Sequence, residues 1–170
     1  MVNKFFICIA LLCMVKTTNA QVKGQLSVAG ALNYNTQVER IGLSGSIKWL
    51  APQLGQVDRG LVVSLKSTYT PSENGFFKGG SERIAALHIL AGYRQQWLMP
   101  NLKSLFYAEL SGGLTAIGKD FELSPGVQPL VGYNLDKHWG AFTDYHRSFA
   151  GNDKKEISLI ELGITYTFGI

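Results

Sequence analysis

The sequence predicts an all-β fold, an eight-stranded antiparallel up-and-down transmembrane β-barrel. Three observations predict it. Apolar and small or polar residues alternate with period two in eight successive segments of the 170-residue chain. All three tryptophans fall near one end of the implied strands. Seven ionisable residues of those segments, Lys23, Lys48, Lys66, Arg94, Glu109, Asp144 and Glu161, sit on the parity opposite the apolar ones. Side chains along a strand alternate between two faces, so each segment carries one greasy and one polar face.

The N-terminus reads as an address rather than as part of the fold. Met1 to Ala20 carries Lys4, an apolar stretch from Phe5 to Val15, and Thr18-Asn19-Ala20 before Gln21. That is the charge, apolar core and small-residue cleavage site of a secretory signal peptide. The apolar run is too short for a lasting membrane helix. The expected organisation is therefore a signal peptide over 1–20 and one barrel domain over 21–170. Both cysteines, Cys8 and Cys13, lie in the leader, so the mature chain offers no disulfide framework and no thiol chemistry. Loss of Lys4 and Lys16 lowers the formal charge from +4 to +2, which leaves no basic run to argue for nucleic acid.

The segments follow in order. The first sets Val22, Gly24, Leu26, Val28, Gly30, Leu32 and Tyr34 against the intervening polar and small residues. The second has Ile41, Leu43, Gly45, Ile47 and Trp49 on its apolar parity. The third has Leu61, Val63, Leu65, Ser67 and Tyr69. A fourth, from Ile84 to Trp97, opposes Leu87, Ile89, Ala91 and Tyr93 to His88, Leu90, Gly92 and Arg94. The fifth runs from Phe106 to Thr115. The sixth, near Val127 to Leu135, contains Pro129, which withholds a ladder donor. The seventh spans Trp139 to Arg147 and the eighth Glu156 to Phe168. Strands of roughly ten residues are long enough to cross a bilayer obliquely.

The links between segments predict a topology. Long polar links are expected at Asn35 to Arg40, Pro71 to Arg83, Gly118 to Gly126 and Ser148 to Lys155. The alternate links, Ala51 to Arg59, Leu98 to Lys103 and Asp136 to His138, are read as inner turns, the first of them longer than a tight turn. Barrels of the outer-membrane type place short turns inside and longer loops outside. Trp49, Trp97 and Trp139 sit beside the inner turns on the apolar parity, where indole suits the membrane–water interface. Tyr34, Tyr69 and Tyr145 stand at the opposite ends as an outer girdle.

Alternation alone leaves two orientations open. A secreted lipocalin-like barrel shows the same period with its apolar residues inside, around a ligand. The polar parity favours the membrane reading, because it carries Lys23, Lys48, Lys66, Arg94, Glu109, Asp144 and Glu161. A charge facing mid-membrane lipid costs about 2–4 kcal/mol, so these residues belong in the lumen. The basic ones come from the first four strands and the acidic ones from the fifth, seventh and eighth. Lys66 is expected to face Asp144 across the lumen, and Arg94 to pair with Glu109 on the adjacent strand. The expected result is an ion-pair network that plugs the barrel.

With the leader, the eight segments and the tail Glu161-x-Gly163-x-x-Tyr166-x-Phe168, the chain resembles small outer-membrane barrels of the OmpX and OmpA-transmembrane type. The segments Leu90 to Arg94 and Tyr107 to Leu114 are similar to central strands of generic porin-family barrel domains. The resemblance implies a bacterial outer-membrane location, with outer-membrane lipid and lipopolysaccharide around the wall. It also implies that Gly163, Tyr166 and Phe168 form the signal read by the barrel assembly machinery, although here Gly169-Ile170 follows the aromatic. A structural or surface-binding role is expected, with the loop Pro71 to Arg83, bearing Phe76 and Phe77, as the candidate tip for a surface partner.

One stretch offers a catalytic alternative. Tyr145-His146-Arg147-Ser148-Phe149, followed by Glu156, resembles the His-x-Ser stretch of the PagL lipid A deacylase family. That resemblance would make Ser148 the nucleophile, His146 its base and Glu156 the orienting group. Phe149 stands where that family has asparagine, and the parity of His146 points inward. His88, His138 and His146 are too widely spaced to form a recognisable metal motif, so neither metal nor cofactor is expected.

Overall fold

The computed structural model describes residues 24–53, 56–72, 83–99, 104–118, 122–149 and 156–169. They form eight strands: β1 (Gln25–Asn35), β2 (Arg40–Gln53), β3 (Gln56–Thr70), β4 (Ile84–Leu98), β5 (Leu105–Ile117), β6 (Glu122–Asn134), β7 (Trp139–Ser148) and β8 (Ser158–Gly169). Each pairs antiparallel with the next, and β8 pairs with β1 to close the barrel. Closure leaves no edge, so every strand of the wall has a hydrogen-bonding neighbour on both sides. Paired residues traced from Leu26 through Trp49, Val63, Ala91, Gly112, Val127, Arg147 and Ser158 return to Thr36, ten residues further along the chain. That stagger is what tilts the strands, typically by 35–45° to the barrel axis. The leader, Lys23, loop residues 73–82 with Phe76 and Phe77, and residues 150–155 lie outside the described residues.

Apolar parity faces outward in every strand. Leu32, Ile41, Leu61, Ile89, Leu110, Leu162 and Ile164 are exposed on the wall, Leu162 to 70%. The charged parity is buried in the lumen. A soluble ligand-binding barrel needs the reverse arrangement, so the faces themselves choose the transmembrane fold.

The strands extend further than the sequence reading has them. β2 and β3 run on until only residues 54–55 separate them, so the expected link Ala51 to Arg59 shrinks to two residues. β6 begins at Glu122, which shortens the expected link Gly118 to Gly126 to residues 118–121. Period-two alternation continues through Glu122, Ser124 and Gly126, and this outweighs the presence of Pro125 and Pro129 because both rings point outward. The β1–β2 link is likewise a four-residue turn, held by the Asn35 carboxamide oxygen, which accepts from the backbone N–H of Gln37 at 3.0 Å. The two links that remain long at this outer end follow β3 and β7.

The β6–β7 turn uses the same device. The Asp136 carboxylate accepts from the backbone N–H of Trp139 at 2.6 Å and of His138 at 2.7 Å. Those donors, Trp139 first, hold the Asp136 carboxyl below its ordinary value. His138, in the same turn, is half-buried: its ring stacks on Tyr166 and its Nδ1 lies 3.0 Å from the Thr167 carbonyl.

Two glycines make room for aromatic rings inside the wall. A Cβ at Gly132 would collide with the Tyr107 ring, and one at Gly163 would lie 2.6 Å from the tip of Phe142. Tyr107 and Phe142, with Leu130, form the apolar cluster of the inner half of the lumen. Gly132→Val is expected to destabilise the barrel by about 1–3 kcal/mol through overpacking. Urea titration of the folded fraction in lipid vesicles measures it; an unchanged midpoint would show that Tyr107 does not occupy this place.

Candidate functional site

The lumen is where the polar chemistry of this chain gathers. Nearest the inner turns, β5 aims Glu109 between two cations. Its carboxylate accepts from Arg94 Nη2 at 2.8 Å and from Lys48 Nζ at 3.2 Å, and Ser111 Oγ donates to it at 3.1 Å. The guanidinium lies 4.2 Å from the centre of the Tyr107 ring, and the Lys48 ammonium 5.7 Å from that of Phe142, both cation–π distances.

At mid-barrel one lysine serves two acids. Lys66 Nζ lies 2.8 Å from Glu161 and 3.3 Å from Asp144. Gln128 donates to the second Asp144 oxygen at 2.7 Å, Ser44 donates to Glu161 at 3.0 Å, and Asn33 donates to Ser44 at 2.7 Å. Three cations and three carboxylates therefore form a neutral set, each buried and each paired. In a low dielectric such pairs hold only when further donors reach the carboxylates, and Ser111, Ser44 and Gln128 supply them here. The space left among Ser44, Lys48, Lys66, Gln128, Asp144 and Glu161 is about 10 Å³. That is at the lower limit for one water molecule, so the centre of the lumen is filled.

Toward the outer end the network turns neutral. His88 Nε2 lies 3.0 Å from Thr68 Oγ1 and its Nδ1 3.0 Å from Thr115 Oγ1, which also meets His146 Nε2 at 3.1 Å. The two imidazoles meet edge to face with centroids 4.3 Å apart. Above them Ala86, Ile117, Ile157 and Leu159 close the barrel with an apolar cluster.

The alternative catalytic residues fall within this arrangement. His146 and Ser148 are both fully buried on the luminal face. Ser148 Oγ accepts from the backbone N–H of Ile157 at 2.8 Å, while His146 is bonded to Thr115. Glu156 lies 3.9 Å from the exposed Arg147 guanidinium. The structure thus gives the serine, the histidine and the glutamate three different partners.

The remaining aromatic residues singled out from the sequence lie on the outward parity. Trp97 leans on Phe106 at 5.7 Å between centroids, and Trp139 meets Tyr166 edge to face at 4.9 Å. The Trp49 ring lies over Gly24. Tyr34 and Tyr145 are exposed and Tyr69 half-buried near the other strand ends. In β8, Gly163 points into the lumen under Phe142, while Phe168 points outward against the half-buried Tyr166. Sequence reasoning did not single out Ser44, Gln128, Tyr107 or Phe142 as parts of the network. Their signal was present in parity alone, since all four share the face that carries the charges.

No family model matches the chain, and no curated protein matches it. Solved structures do. A de novo designed transmembrane β-barrel superposes with a TM-score of 0.57 over 87% of this chain and 98% of that one, at 15% identity. Neisserial surface protein A (NspA) gives 0.59 over 86% and 96%, at 16% identity. The outer membrane enzyme PagL gives 0.59 over 85% and 99%, at 12% identity. A designed scaffold, a surface protein and an enzyme share this architecture, so the likeness establishes the transmembrane barrel fold and leaves function to the site.

Proposed function

We propose that the chain is an integral protein of the bacterial outer membrane whose barrel is a closed anchor, with a structural or surface-binding role carried by its outer loops. One observation carries this reading. The lumen is filled by a neutral, fully paired set of charges while the outer wall is apolar, so the barrel suits insertion in lipid and not passage of solutes. Residues 71–83 and 149–157, the two long outer links, are the segments left to meet a partner. Residues 1–20 would deliver the chain across the inner membrane, and the β8 pattern of Gly163, Tyr166 and Phe168 would be read during assembly.

The test is fractionation followed by electrophoresis with and without boiling. The barrel should require detergent for release, migrate differently when unheated, and give no steady conductance in a planar bilayer. Recovery in the soluble fraction would overturn the reading, and a stable open-channel current would remove the closed-lumen part of it. Ser148→Ala adds a check on catalysis: lipid A acylation in cells producing the variant should match that with the unaltered protein. A deacylation pattern that disappears with this substitution would instead establish the ester hydrolase.

A further inference from the structure

At mid-barrel the seam between β6 and β7 is incomplete. The register is the same above and below, yet the pairs Gln128–His146 and Pro129–Tyr145 are missing. One cause accounts for both: Pro129 has no N–H to donate to the Tyr145 carbonyl across the seam. On the outer wall this place opens into a shallow groove of about 570 Å³, lined by Ala108, Pro129, Val131, Thr143, Tyr145 and Ile160 among others. Side-chain hydroxyls at the groove are already engaged. Thr143 donates to the Glu161 carbonyl at 2.8 Å, and Tyr145 shares a hydrogen bond with Ser158 at 3.3 Å. What Pro129 leaves without its ladder donor is a backbone acceptor, on a face where lipid offers no water to replace it. Two residues further out on the same parity, Arg147 presents a half-exposed guanidinium with Glu156 no nearer than 3.9 Å.

We propose that this seam is a lateral binding site for one phosphorylated glycolipid whose acyl chain bears a hydroxyl. The chain lies in the groove, its hydroxyl donates to the Tyr145 carbonyl, and its phosphate pairs with Arg147. Position and chemistry choose the occupant: the apolar belt requires hydrocarbon, the missing ladder donor requires a hydroxyl, and the guanidinium requires an anion. The site rests on the reading of the outer wall as lipid-facing.

Native mass spectrometry of the detergent-purified full barrel tests it, with monophosphoryl lipid A as the hydroxyacyl probe and phosphatidylglycerol with plain chains as the control. The unaltered protein should retain one equivalent of monophosphoryl lipid A with at least a fivefold preference over phosphatidylglycerol. Val131→Trp fills the groove at its inner-turn end and should abolish that preference. Arg147→Gln should lower retention of the first probe severalfold, and it keeps the test available if the tryptophan variant fails to fold. Equal retention of both lipids, or a preference that survives both substitutions, overturns the site. A protein that stays in solution without detergent overturns the membrane reading and the site together. Equal retention by a detergent-requiring barrel removes the site alone.

Discussion

Replacing Lys66 with methionine is expected to destabilise the folded barrel by about 3–5 kcal/mol, the scale on which a buried ion pair loses one partner. The lysine is the one cation bonded to both Asp144 and Glu161 among the described residues. Without it two carboxylates remain in a space of about 10 Å³ that cannot take in enough water to screen them. The penalty should belong to the stranded charges and not to the lost side chain. The triple variant Lys66→Met, Asp144→Asn, Glu161→Gln should therefore recover most of the stability, since a buried pair and its neutral replacement are often close in energy. Folded fraction against urea in lipid vesicles measures both. A single variant within about 0.5 kcal/mol of the parent, the range of ordinary surface substitutions, would mean that Lys66 reaches solvent and the lumen is not closed.

Leu162→Arg is expected to cost about 2–4 kcal/mol in a bilayer, the depth-dependent penalty for a charge on the lipid face. Leu162 sits mid-strand in β8, 70% exposed, between Leu32 of β1 and Thr143 of β7. An exposed leucine on a water-soluble protein would tolerate arginine within about 0.5 kcal/mol. The substitution therefore reads the medium directly. Gln37→Arg in the β1–β2 turn supplies the control and should stay within that narrow range. Similar unfolding midpoints for the two variants in vesicles would place the Leu162 face in water.

Much of the fold was legible because period two is a property of the strand itself. Trp139 to Ser148 alternates outward and inward without a break, and its parity alone places Asp144, His146 and Ser148 on one face. Link lengths were less legible. Ala51 to Arg59 and Gly118 to Gly126 contain proline or glycine, which read locally as turns. In the structure the neighbouring strands supply ladder partners that carry β2, β3 and β6 through them. Tyr107 is an aromatic on the polar parity, and nothing local says that Gly132 on the next strand is shaped to receive it.

Alternation, the eight segments and the segregation of charge from apolar parity were determined by the sequence by itself, because each needs only the geometry of one extended chain. Which charges meet was decided by the tertiary structure. Lys48 of β2 reaches Glu109 of β5, and Lys66 of β3 reaches Glu161 of β8, strands that are not neighbours in the wall. The ten-residue stagger sets the height of every side chain in the lumen, and that stagger exists only once β8 has closed on β1. Pro129 shows the same division. Its missing donor was visible in the sequence, but the register held on both sides is a property of the closed barrel. Six other strands fix where β6 and β7 must lie, so the chain leaves two pairs unmade instead of shifting by one residue and turning its charges into the lipid.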